Sequence, residues 1–352
     1  MGARSSQQLV REVPTVLAVL LDVPKAEVHL DKGGAPEADL VVRAGAHAFV
    51  VDVLEAAAPG PVAAHAERVV SAARKLRRKA TPLLAVPYMT EAGRQAAEAA
   101  KVPWFDLSGN AHIVAPGLKV IVEGRPNRFR RVGRPASLFA PKSARLVRWL
   151  LMYPAASFSQ RELSRATEMD EGMVSRLAAR LEADSYVVRE ATGALRVKDP
   201  ALLLDAWNAE YRFDRHTLIQ GGVAARSGDA LTRFVGDTLA AANTNHAATG
   251  MSAAWHLQHF AAFRIASFFI DAPLDEELRA KLGFREEPRG ANLWLVVPND
   301  AGVFQGATEQ AGVRCVHPVQ AYVDLKAHPE RASEAAEHLR AGLLSLWRPK
   351  HG

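Results

Sequence analysis

The stretch SQRELSRATEMDEGMVSRLAARLEADSYVVREATGALRVK, residues 159–198, decides the fold of the middle of this chain. Ser159 and Glu162 have the spacing of a capping box, which predicts that a short helix begins after Ser159. A four-residue turn leads to a second predicted helix at 171–184, whose apolar residues fall on one face. Two β-type runs then flank Gly193, a residue that suits the turn of a hairpin. The sequence therefore predicts helix, turn, helix and hairpin in close succession.

On the N-terminal side of this stretch, residues 143–153 form another amphipathic helical pattern, which Pro154 ends. The outward residues of the helix at 171–184 would be Glu171, Gly172, Ser175, Arg176, Ala179 and Arg180. Over residues 140–200 the chain resembles the winged helix-turn-helix of bacterial transcription regulators. The resemblance implies that the helix at 171–184 enters the major groove of double-stranded DNA. The DNA-binding residues it implies are Ser175, Arg176 and Arg180 in the helix and Arg189, Arg196 and Lys198 in the hairpin.

Winged helices also serve as protein-docking modules, and that interpretation of residues 140–200 stays open at this point.

A basic segment precedes the winged-helix-like region. Residues 125–160 contain eight basic residues and no acidic ones, with prolines at 126, 135 and 141. This composition predicts a linker at 125–142. The cations that we expect to contact DNA phosphates are Arg128, Arg130, Arg131 and Arg134. A minor-groove hook at Gly133-Arg134-Pro135 and a merely solvated tether are the alternatives.

The first part of the chain alternates strand-like and helix-like runs. Predicted helices span 7–21, 62–79 and 90–101, and predicted strands span 27–30, 39–43, 47–53, 82–88, 104–107, 111–114 and 118–122. This order is typical of a mixed α/β domain.

Two acids lie on neighbouring predicted strands of this domain. Asp39 begins one strand, and Asp52 lies in FVVDVL, residues 49–54. With these acids, residues 26–124 resemble the restriction-endonuclease-like fold, whose active members use two carboxylates and a lysine to hold metal and activate water. Leu54 occupies the position of the lysine. The resemblance therefore implies a degenerate domain that does not hydrolyse DNA.

A third motif in this domain is WFDLSGN, residues 104–110. It is similar to the DLSGN signature of a bacterial group in which such a domain precedes a winged helix. Gly109 and Asn110 suit a tight turn between strands, so we expect a structural rather than a catalytic role for them.

The C-terminal part again alternates strands and helices. Predicted strands span 217–220, 247–249, 265–271, 293–297 and 313–316, and predicted helices span 230–242, 251–262, 275–282 and 332–347. The motifs ATGMSAA, 248–254, and QAYVDL, 320–325, resemble the C-terminal domain of AbiEi-family antitoxins, which is similar to a minimal nucleotidyltransferase. True nucleotidyltransferases hold magnesium with paired acids, whereas the strand at 265–271 carries Asp271 alone. The resemblance implies an α/β domain without that catalysis.

Three histidines, His246, His256 and His259, are close in sequence. Neither a carboxylate nor a cysteine accompanies them at the spacing of a metal site. We therefore expect no bound metal and no cofactor.

Composition sets outer limits on these interpretations. A chain of 352 residues predicts two or three domains. The 44 basic and 38 acidic residues leave a net charge of +6, which permits an anionic partner without requiring one. The single cysteine, Cys315, excludes an internal disulfide framework and favours the cytoplasm. The apolar run at 16–21 is too short for a membrane helix, so no membrane partner is expected.

We thus predict a multidomain α/β protein: a degenerate restriction-endonuclease-like domain at 1–124, a basic linker at 125–142, a winged helix-turn-helix at 143–212 and a nucleotidyltransferase-like, antitoxin-like α/β domain at 213–352. The expected function is non-enzymatic: a transcription regulator, an antitoxin-like repressor that binds its own operator as a homodimer. A toxin or a small-molecule effector would bind the C-terminal domain.

Two alternatives to this function remain. One is a metal-dependent DNA nuclease that the winged helix directs to its target, with the missing amine supplied by Lys75 or Lys79. The other is a protein-binding module that neutralises a toxin.

Overall fold

The computed structural model describes residues 6–30, 38–76, 79–129, 138–326 and 328–347, which form a mixed α/β structure. Two compact units can be distinguished by their internal contacts. The first comprises Met1–Pro135 with Arg180–Tyr186, and the second comprises Ala136–Ala179 with Val187–Gly352. The second unit holds most of the predicted middle domain together with the C-terminal domain. The finer boundaries expected at 124, 142 and 212 stay predictions.

Apart from Arg180–Tyr186, the described residues of the first unit form three α-helices and a sheet. In chain order they are α1 (Ser6–Leu20), β1 (Val28–Leu30), β2 (Leu40–Ala44), β3 (His47–Val53), α2 (Pro59–Lys75), β4 (Thr81–Val86), α3 (Glu91–Ala99), β5 (Trp104–Asp106), β6 (Ala111–Ala115) and β7 (Leu118–Val122).

The seven strands lie in the sheet in the order in which they occur in the chain. Strands β1, β2 and β3 form an antiparallel meander, and β3, β4 and β5 are parallel. Helices α2 and α3 make the two crossovers, because parallel neighbours cannot be joined by a tight turn. Strands β6 and β7 complete the sheet in antiparallel pairing.

Both faces of this sheet are covered. Along β3, Val50 packs into a cluster with α2 residues, whereas Phe49 and Val51 pack into a cluster with α1 residues. Successive side chains of a strand point to opposite faces, so one strand supplies both clusters. The buried run in β3 follows from this two-sided cover.

Predicted and observed bounds agree closely here, with one clear difference. The bounds of β3 and β7 are those predicted, and the Thr90 hydroxyl caps α3 by accepting from the Gly93 N–H at 3.0 Å. The prediction that α2 continues to residue 79 is wrong, because Leu76 is already extended. The chain must leave the helix there so that β4 can begin at Thr81, in register with Phe49.

The remaining elements are α4 (Ala144–Met152), α5 (Gln160–Thr167), α6 (Glu171–Ala183), β8 (Val187–Arg189), β9 (Leu195–Val197), α7 (Pro200–Glu210), β10 (Thr217–Gly222), α8 (Gly228–Ala241), β11 (His246–Ala248), α9 (Gly250–Gln258), β12 (Ala266–Ile270), α10 (Glu276–Leu282), β13 (Arg285–Glu286), β14 (Leu293–Val297), β15 (Thr308–Gln310), β16 (Val313–Cys315), α11 (Pro318–Leu325) and α12 (Ala332–Trp347). Strands β8 and β9 pair with each other, and the other strands form a second mixed sheet of order β13-β10-β14-β12-β11-β16-β15.

Four of these elements were not predicted. Helix α11 is buried at every position from 319 to 325, so it shows no polar face from which helical periodicity could be recognised. Helix α7 did carry start signals, since Asp199 caps it and Pro200 occupies its first position. Strands β13 and β15, of two and three residues, are too short for an alternating pattern.

None of the helices in the described ranges combines the length and the apolar character that crossing a membrane requires.

Candidate nucleic-acid interface

Helix α5 begins at a complete capping box. The Ser159 hydroxyl oxygen accepts from the Glu162 N–H at 3.3 Å, and Glu162 Oε2 accepts from the Ser159 N–H at 2.7 Å. These bonds satisfy donors that a helix N-terminus otherwise leaves open. The Ser159 N–H and hydroxyl, which both donate to the Glu162 carboxylate, lower the pKa of Glu162. The capping box predicted from the sequence is confirmed.

A tight turn joins α5 to α6. Glu168 adopts a left-handed conformation with φ of 54°, and the Ser164 hydroxyl donates to the Met169 carbonyl at 2.6 Å. Asp170 Oδ1 then accepts from the Met173 N–H at 2.7 Å, inside the first turn of α6. The turn is held at both ends by side-chain hydrogen bonds, so the relative direction of the two helices is fixed locally.

The inner and outer faces of α6 are those predicted from the sequence. Its buried residues include Val174, Leu177, Ala178 and Leu181. All six residues expected to face outward are exposed, namely Glu171, Gly172, Ser175, Arg176, Ala179 and Arg180. The predicted orientation of the helix is confirmed.

Two cations stand on this exposed face. Arg176 and Arg180 are four residues apart and therefore neighbours on one side of the helix. Arg180 Nε lies 3.8 Å from Asp184 Oδ2, a surface ion pair of a kind that contributes little energy. Arg176 extends along Gly172, where a Cβ atom would stand 3.5 Å from its Nη1. Both guanidinium groups thus remain accessible to an anionic partner.

The segment after α6 forms the predicted hairpin. Strands β8 and β9 pair across a turn in which Gly193 has φ of 82°, a conformation that suits glycine. Phe158 adds a bridge to β9: it exchanges two backbone hydrogen bonds with Leu195, at 2.9 and 2.8 Å. The residue just before the capping box is therefore tied to the hairpin, which holds the start of α5 beside β9.

The three hairpin cations differ in their availability. Lys198 is exposed. Arg189 is also exposed, and its Nη1 donates to the Gly193 carbonyl at 3.2 Å. Arg196 is half-buried, with Nε donating to Glu190 Oε1 at 3.0 Å. Since an acid already balances Arg196 and Arg189 makes a further interaction of its own, Lys198 is the better candidate for a phosphate contact.

The basic segment is divided by the structure. Arg128 is exposed, whereas Arg130, Arg131 and Arg134 lie outside the described residues. Two further cations of the same run point inward: Arg145 is paired with Asp300, with its Nε 2.7 Å from the carboxylate, and Arg148 is buried. These two arginines are therefore not part of an exposed basic surface.

The DLSGN motif is a buried hydrogen-bonded turn. Asp106 is fully buried, and its carboxylate accepts from the Met89 N–H at 3.1 Å, the Asn110 N–H at 2.9 Å and the Asn110 side-chain amide at 2.8 Å. Gly109 has φ of 103°, which a residue with a side chain rarely adopts. These contacts give the motif a structural role, as expected.

The same motif fixes the start of the basic segment. Asn110 Oδ1 accepts from the Arg125 N–H at 2.8 Å, and its amide donates back to the Arg125 carbonyl at 3.1 Å. The Ser108 hydroxyl accepts from the Arg128 N–H at 3.2 Å. The motif therefore anchors the backbone from which Arg128 projects.

The two acids of the nuclease-like segment do lie together, and an arginine occupies the site with them. Arg68 of α2 binds Asp52 through two nitrogens, with Nε 2.7 Å from Oδ2, and its Nη2 lies 3.7 Å from Asp39 Oδ2. His65 Nδ1 is 2.9 Å from Asp52 Oδ2. Asp39 also accepts from the Val53 N–H at 2.8 Å. The Arg68 guanidinium thus balances the charge of the two acids that the sequence resemblance places at a metal position.

The electrostatics of this Asp39–Asp52–Arg68 cluster agree with that description. Burial acts to raise the pKa of Asp52, but hydrogen bonds from His65 and Arg68 outweigh it and lower the pKa. Burial raises the pKa of Asp39, and the neighbouring Asp52 adds to this effect. Asp52 is therefore held as a carboxylate whose charge is already balanced.

Sequence reasoning placed the two acids but missed Arg68 and His65. A signal existed, since both residues flank the apolar stripe of α2. Leu54, which the sequence resemblance aligns with a lysine, is buried in the core with residues of α2. Lys75 lies in the last turn of α2 and makes an interaction of its own.

The C-terminal motifs are used for packing. Gly250, with φ of 55°, lies so close to His328 that a Cβ atom would stand 2.6 Å from its ring. The Ser252 hydroxyl accepts from the Ser267 N–H at 2.9 Å, which ties α9 to β12. Asp271, the acid that ends the predicted strand at 265–271, is exposed just after β12. Gly250 thus allows His328 to pack closely on the start of α9, and Ser252 holds α9 against β12.

The three histidines are placed in separate surroundings. His246 Nδ1 contacts the Thr244 carbonyl at 2.8 Å, and His259 ends α9 in a left-handed conformation. His256 is buried, with its Nε2 3.4 Å from Asp229 Oδ1. Burial lowers the pKa of His256. Within the described ranges, no three His, Cys, Asp or Glu side chains come together as a metal site would need.

Comparison with known proteins adds no relative: no family model matches the chain, and neither a curated protein nor a solved structure does.

Proposed function

We propose that this protein is a DNA-binding transcription regulator that acts without catalysis, as an antitoxin-like repressor of its own operator. The observation that carries the proposal is the exposed face of α6, where Ser175, Arg176 and Arg180 stand between a capped helix and a paired hairpin. Helices α4, α5 and α6 with the hairpin then constitute a winged helix-turn-helix.

In this interpretation α6 lies in the major groove. Arginine can fork onto the O6 and N7 acceptors of guanine, and serine can bond to several base edges. Arg189 and Lys198 of the hairpin contact the phosphate backbone, which positions the protein without reading sequence. Arg128 and the basic segment add charge and therefore salt dependence.

The Asp39–Asp52–Arg68 cluster supports the absence of catalysis. Metal-assisted hydrolysis needs carboxylates free to bind a cation and an amine near the scissile phosphate. Arg68 supplies the positive charge internally, and Leu54 replaces the amine. The nuclease-like segment then contributes packing and an anchor for the basic segment rather than a reaction.

A homodimer would present two α6 helices to successive major grooves about one helical turn apart, as repressors of symmetric operators do. A toxin or a small-molecule effector would bind the C-terminal α/β region and change the affinity for DNA. The protein would work in the cytoplasm.

Fluorescence anisotropy tests the proposal directly. The protein is titrated onto labelled duplex from upstream of its own gene and onto random duplex, at several salt concentrations. We expect binding that weakens steeply with salt and favours the upstream duplex by about a thousandfold. Equal affinity for both duplexes would refute sequence-specific regulation.

A second candidate function, a metal-dependent nuclease, is favoured by the adjacency of Asp39 and Asp52. It predicts magnesium- or manganese-dependent cleavage of DNA that Asp52→Ala abolishes. Our proposal predicts no cleavage of single- or double-stranded DNA with either metal. Cleavage by the wild-type protein that is lost in Asp52→Ala would establish the nuclease instead.

A further inference from the structure

A cleft in the second unit brings together residues from three parts of the chain. It is lined by Arg148 of α4, by Tyr211, Arg215 and His216 between α7 and β10, and by Asn299 after β14. The cleft holds about 400 Å³ when the solvent at its mouth is counted. None of the sequence motifs discussed above accounts for it.

Arg148 is the distinctive group in this cleft. Its side chain is almost completely buried, and its guanidinium donates to amide oxygens: Nε and Nη2 to Gln320 Oε1 at 2.9 and 2.7 Å, and Nη1 to Gln305 Oε1 at 3.3 Å. Across the described chain, no carboxylate comes within ion-pair distance of it. These bonds use three of the five N–H groups that an arginine carries.

A buried charge without a carboxylate partner is costly. Trp207 offsets part of that cost, since its ring centroid lies 5.2 Å from the Arg148 guanidinium carbon. Burial nevertheless lowers the pKa of Arg148 to about 10. The guanidinium therefore remains charged at neutral pH and would gain from an anion placed beside it.

The other charges around the cleft are largely matched. Asp300 is paired with Arg145 at 2.7 Å, and Arg212 is paired with Asp214. Glu210 is exposed and makes an interaction of its own. Arg215 is exposed at the rim, and among the described residues no carboxylate lies within ion-pair distance of its guanidinium, although the charge of nearby Asp214 does act on it. Arg148 and Arg215 are thus the two cations left for a ligand.

The wall between them is neutral. His216 Nδ1 accepts from the Asn299 N–H at 3.1 Å, so the proton lies on Nε2, which is 2.9 Å from the Tyr211 hydroxyl oxygen. Burial lowers the pKa of His216 to about 4. Tyr211 in turn donates to Asp324. These groups shape the cleft but contribute no further positive charge.

We propose that this cleft binds a small oxyanion, namely the carboxylate or phosphate group of a small molecule. The guanidinium groups of Arg148 and Arg215 would hold the oxyanion, with the side-chain amide of Asn299 at the rim. Guanidinium groups bind both kinds of oxyanion through paired N–H donors. Only a small anionic group fits beside the buried guanidinium, so any larger part of the ligand extends through the mouth of the cleft.

Occupancy of the cleft would act on the winged-helix region because Arg148 lies on α4, which packs against α5, α7 and α11. A ligand held by Arg148 would therefore act on the helix that packs against α5. This regulatory consequence rests on the proposed function, whereas the binding site itself does not.

Calorimetric titration of the full chain tests the site. Sodium phosphate and sodium acetate are titrated separately at constant ionic strength, set with sodium chloride. We expect saturable one-to-one binding of at least one anion. Arg148→Gln should weaken it about tenfold or more, because a hydrogen bond to a charged group is lost. Arg215→Gln should weaken it several-fold, and Arg226→Gln, an exposed cation away from the cleft, should leave it unchanged.

Arg215→Gln changes an exposed residue, so it keeps the test decisive even where Arg148→Gln fails to fold. Absence of saturable binding by both anions would overturn the proposal, and so would affinities that neither substitution alters.

The DNA consequence is measured separately. At matched ionic strength, the binding anion should change the affinity of the wild-type protein for its upstream duplex and have less effect on Arg215→Gln. Anion binding without any DNA binding would retain the site and refute the proposed function. DNA binding without saturable anion binding would refute the anion site and retain the proposed function.

Discussion

Each of the two units contains a buried acid and an arginine, arranged differently. In the first unit, Arg68 contacts Asp52 directly through two nitrogens. In the second unit, the Gln320 amide stands between Arg148 and Asp324: its oxygen accepts from the guanidinium, and its nitrogen donates to Asp324 Oδ1 at 2.8 Å. The residue types are the same, but only the first pair is an ion pair.

The pKa shifts follow this difference. For Asp52, burial is outweighed by hydrogen bonds from His65 and Arg68, and the pKa is lowered. For Asp324, burial dominates over hydrogen bonds from neutral donors and raises the pKa to about 7. A guanidinium in contact thus holds a buried carboxylate ionised, whereas hydroxyl and amide donors alone do not. Arg68 and Asp52 neutralise each other and leave no charge for a further ion. Arg148 is separated from Asp324 by Gln320 and can therefore bind an anion.

The largest expected effect comes from breaking the direct pair. Arg68→Ala leaves Asp52 buried beside no guanidinium, and we expect a loss of about 2–3 kcal/mol in the free energy of unfolding. The value stays below that of a fully buried pair because the Arg68 side chain is 44% exposed. Urea unfolding measures it, with Arg74→Ala at the exposed end of α2 as the control. Equal losses in the two variants would show that the pair does not stabilise the unit.

The next effect concerns Asp324, which Gln320 separates from Arg148, and is a pH dependence of the free energy of unfolding. A carboxyl whose pKa is raised on folding contributes stability that is complete below its unfolded pKa of 3.8 and is lost as pH rises through about 7. For Asp324 this loss amounts to about 1.4 kcal/mol per pH unit between roughly pH 4 and pH 7. Asp324→Asn should remove that part of the pH dependence, and exposed Asp271→Asn should not. Identical pH profiles for wild type and Asp324→Asn would contradict the raised pKa.

The smallest effect is expected from a substitution that gives Arg148 a carboxylate partner in direct contact. Gln320→Glu places a carboxylate where the amide oxygen now lies, 2.7 Å from Arg148 Nη2. Because Arg148 is then paired internally, phosphate or acetate affinity should fall about tenfold. Calorimetry measures the change, with circular dichroism to confirm folding. Undiminished anion affinity in a folded variant would show that the charge of Arg148 does not hold the ligand.

Much of the local structure could be predicted from the sequence. Strand-like runs marked β3 and β7 at their observed bounds, and the Ser159–Glu162 spacing marked the start of α5. The outer face of α6 followed from helical periodicity, because one side of that helix is apolar and the other is not. These features depend on neighbours in the chain.

The long-range contacts could not be predicted in the same way. Arg68 has the appearance of a surface cation, and only the crossover of α2 onto β3 brings it to Asp52. Arg145 and Arg148 belong to the same basic run, 125–160, as the cations expected to contact DNA. A count of charges does not show which way a side chain points, and the fold turns both arginines inward.

Arg176 and Arg180 of α6 differ from both Arg68 and Arg148, because they are exposed and have no strong internal partner. The proposal that this protein binds specific DNA depends on them. The most direct test is the affinity of the double variant Arg176→Ala and Arg180→Ala for the upstream duplex and for random duplex, measured by anisotropy beside the wild type and Arg226→Ala. We predict that each arginine contributes roughly 1–3 kcal/mol to specific binding, so the double variant should lose most of its preference for the upstream duplex while Arg226→Ala keeps it. An unchanged preference in the folded double variant would contradict the assignment of α6 as the helix that reads DNA.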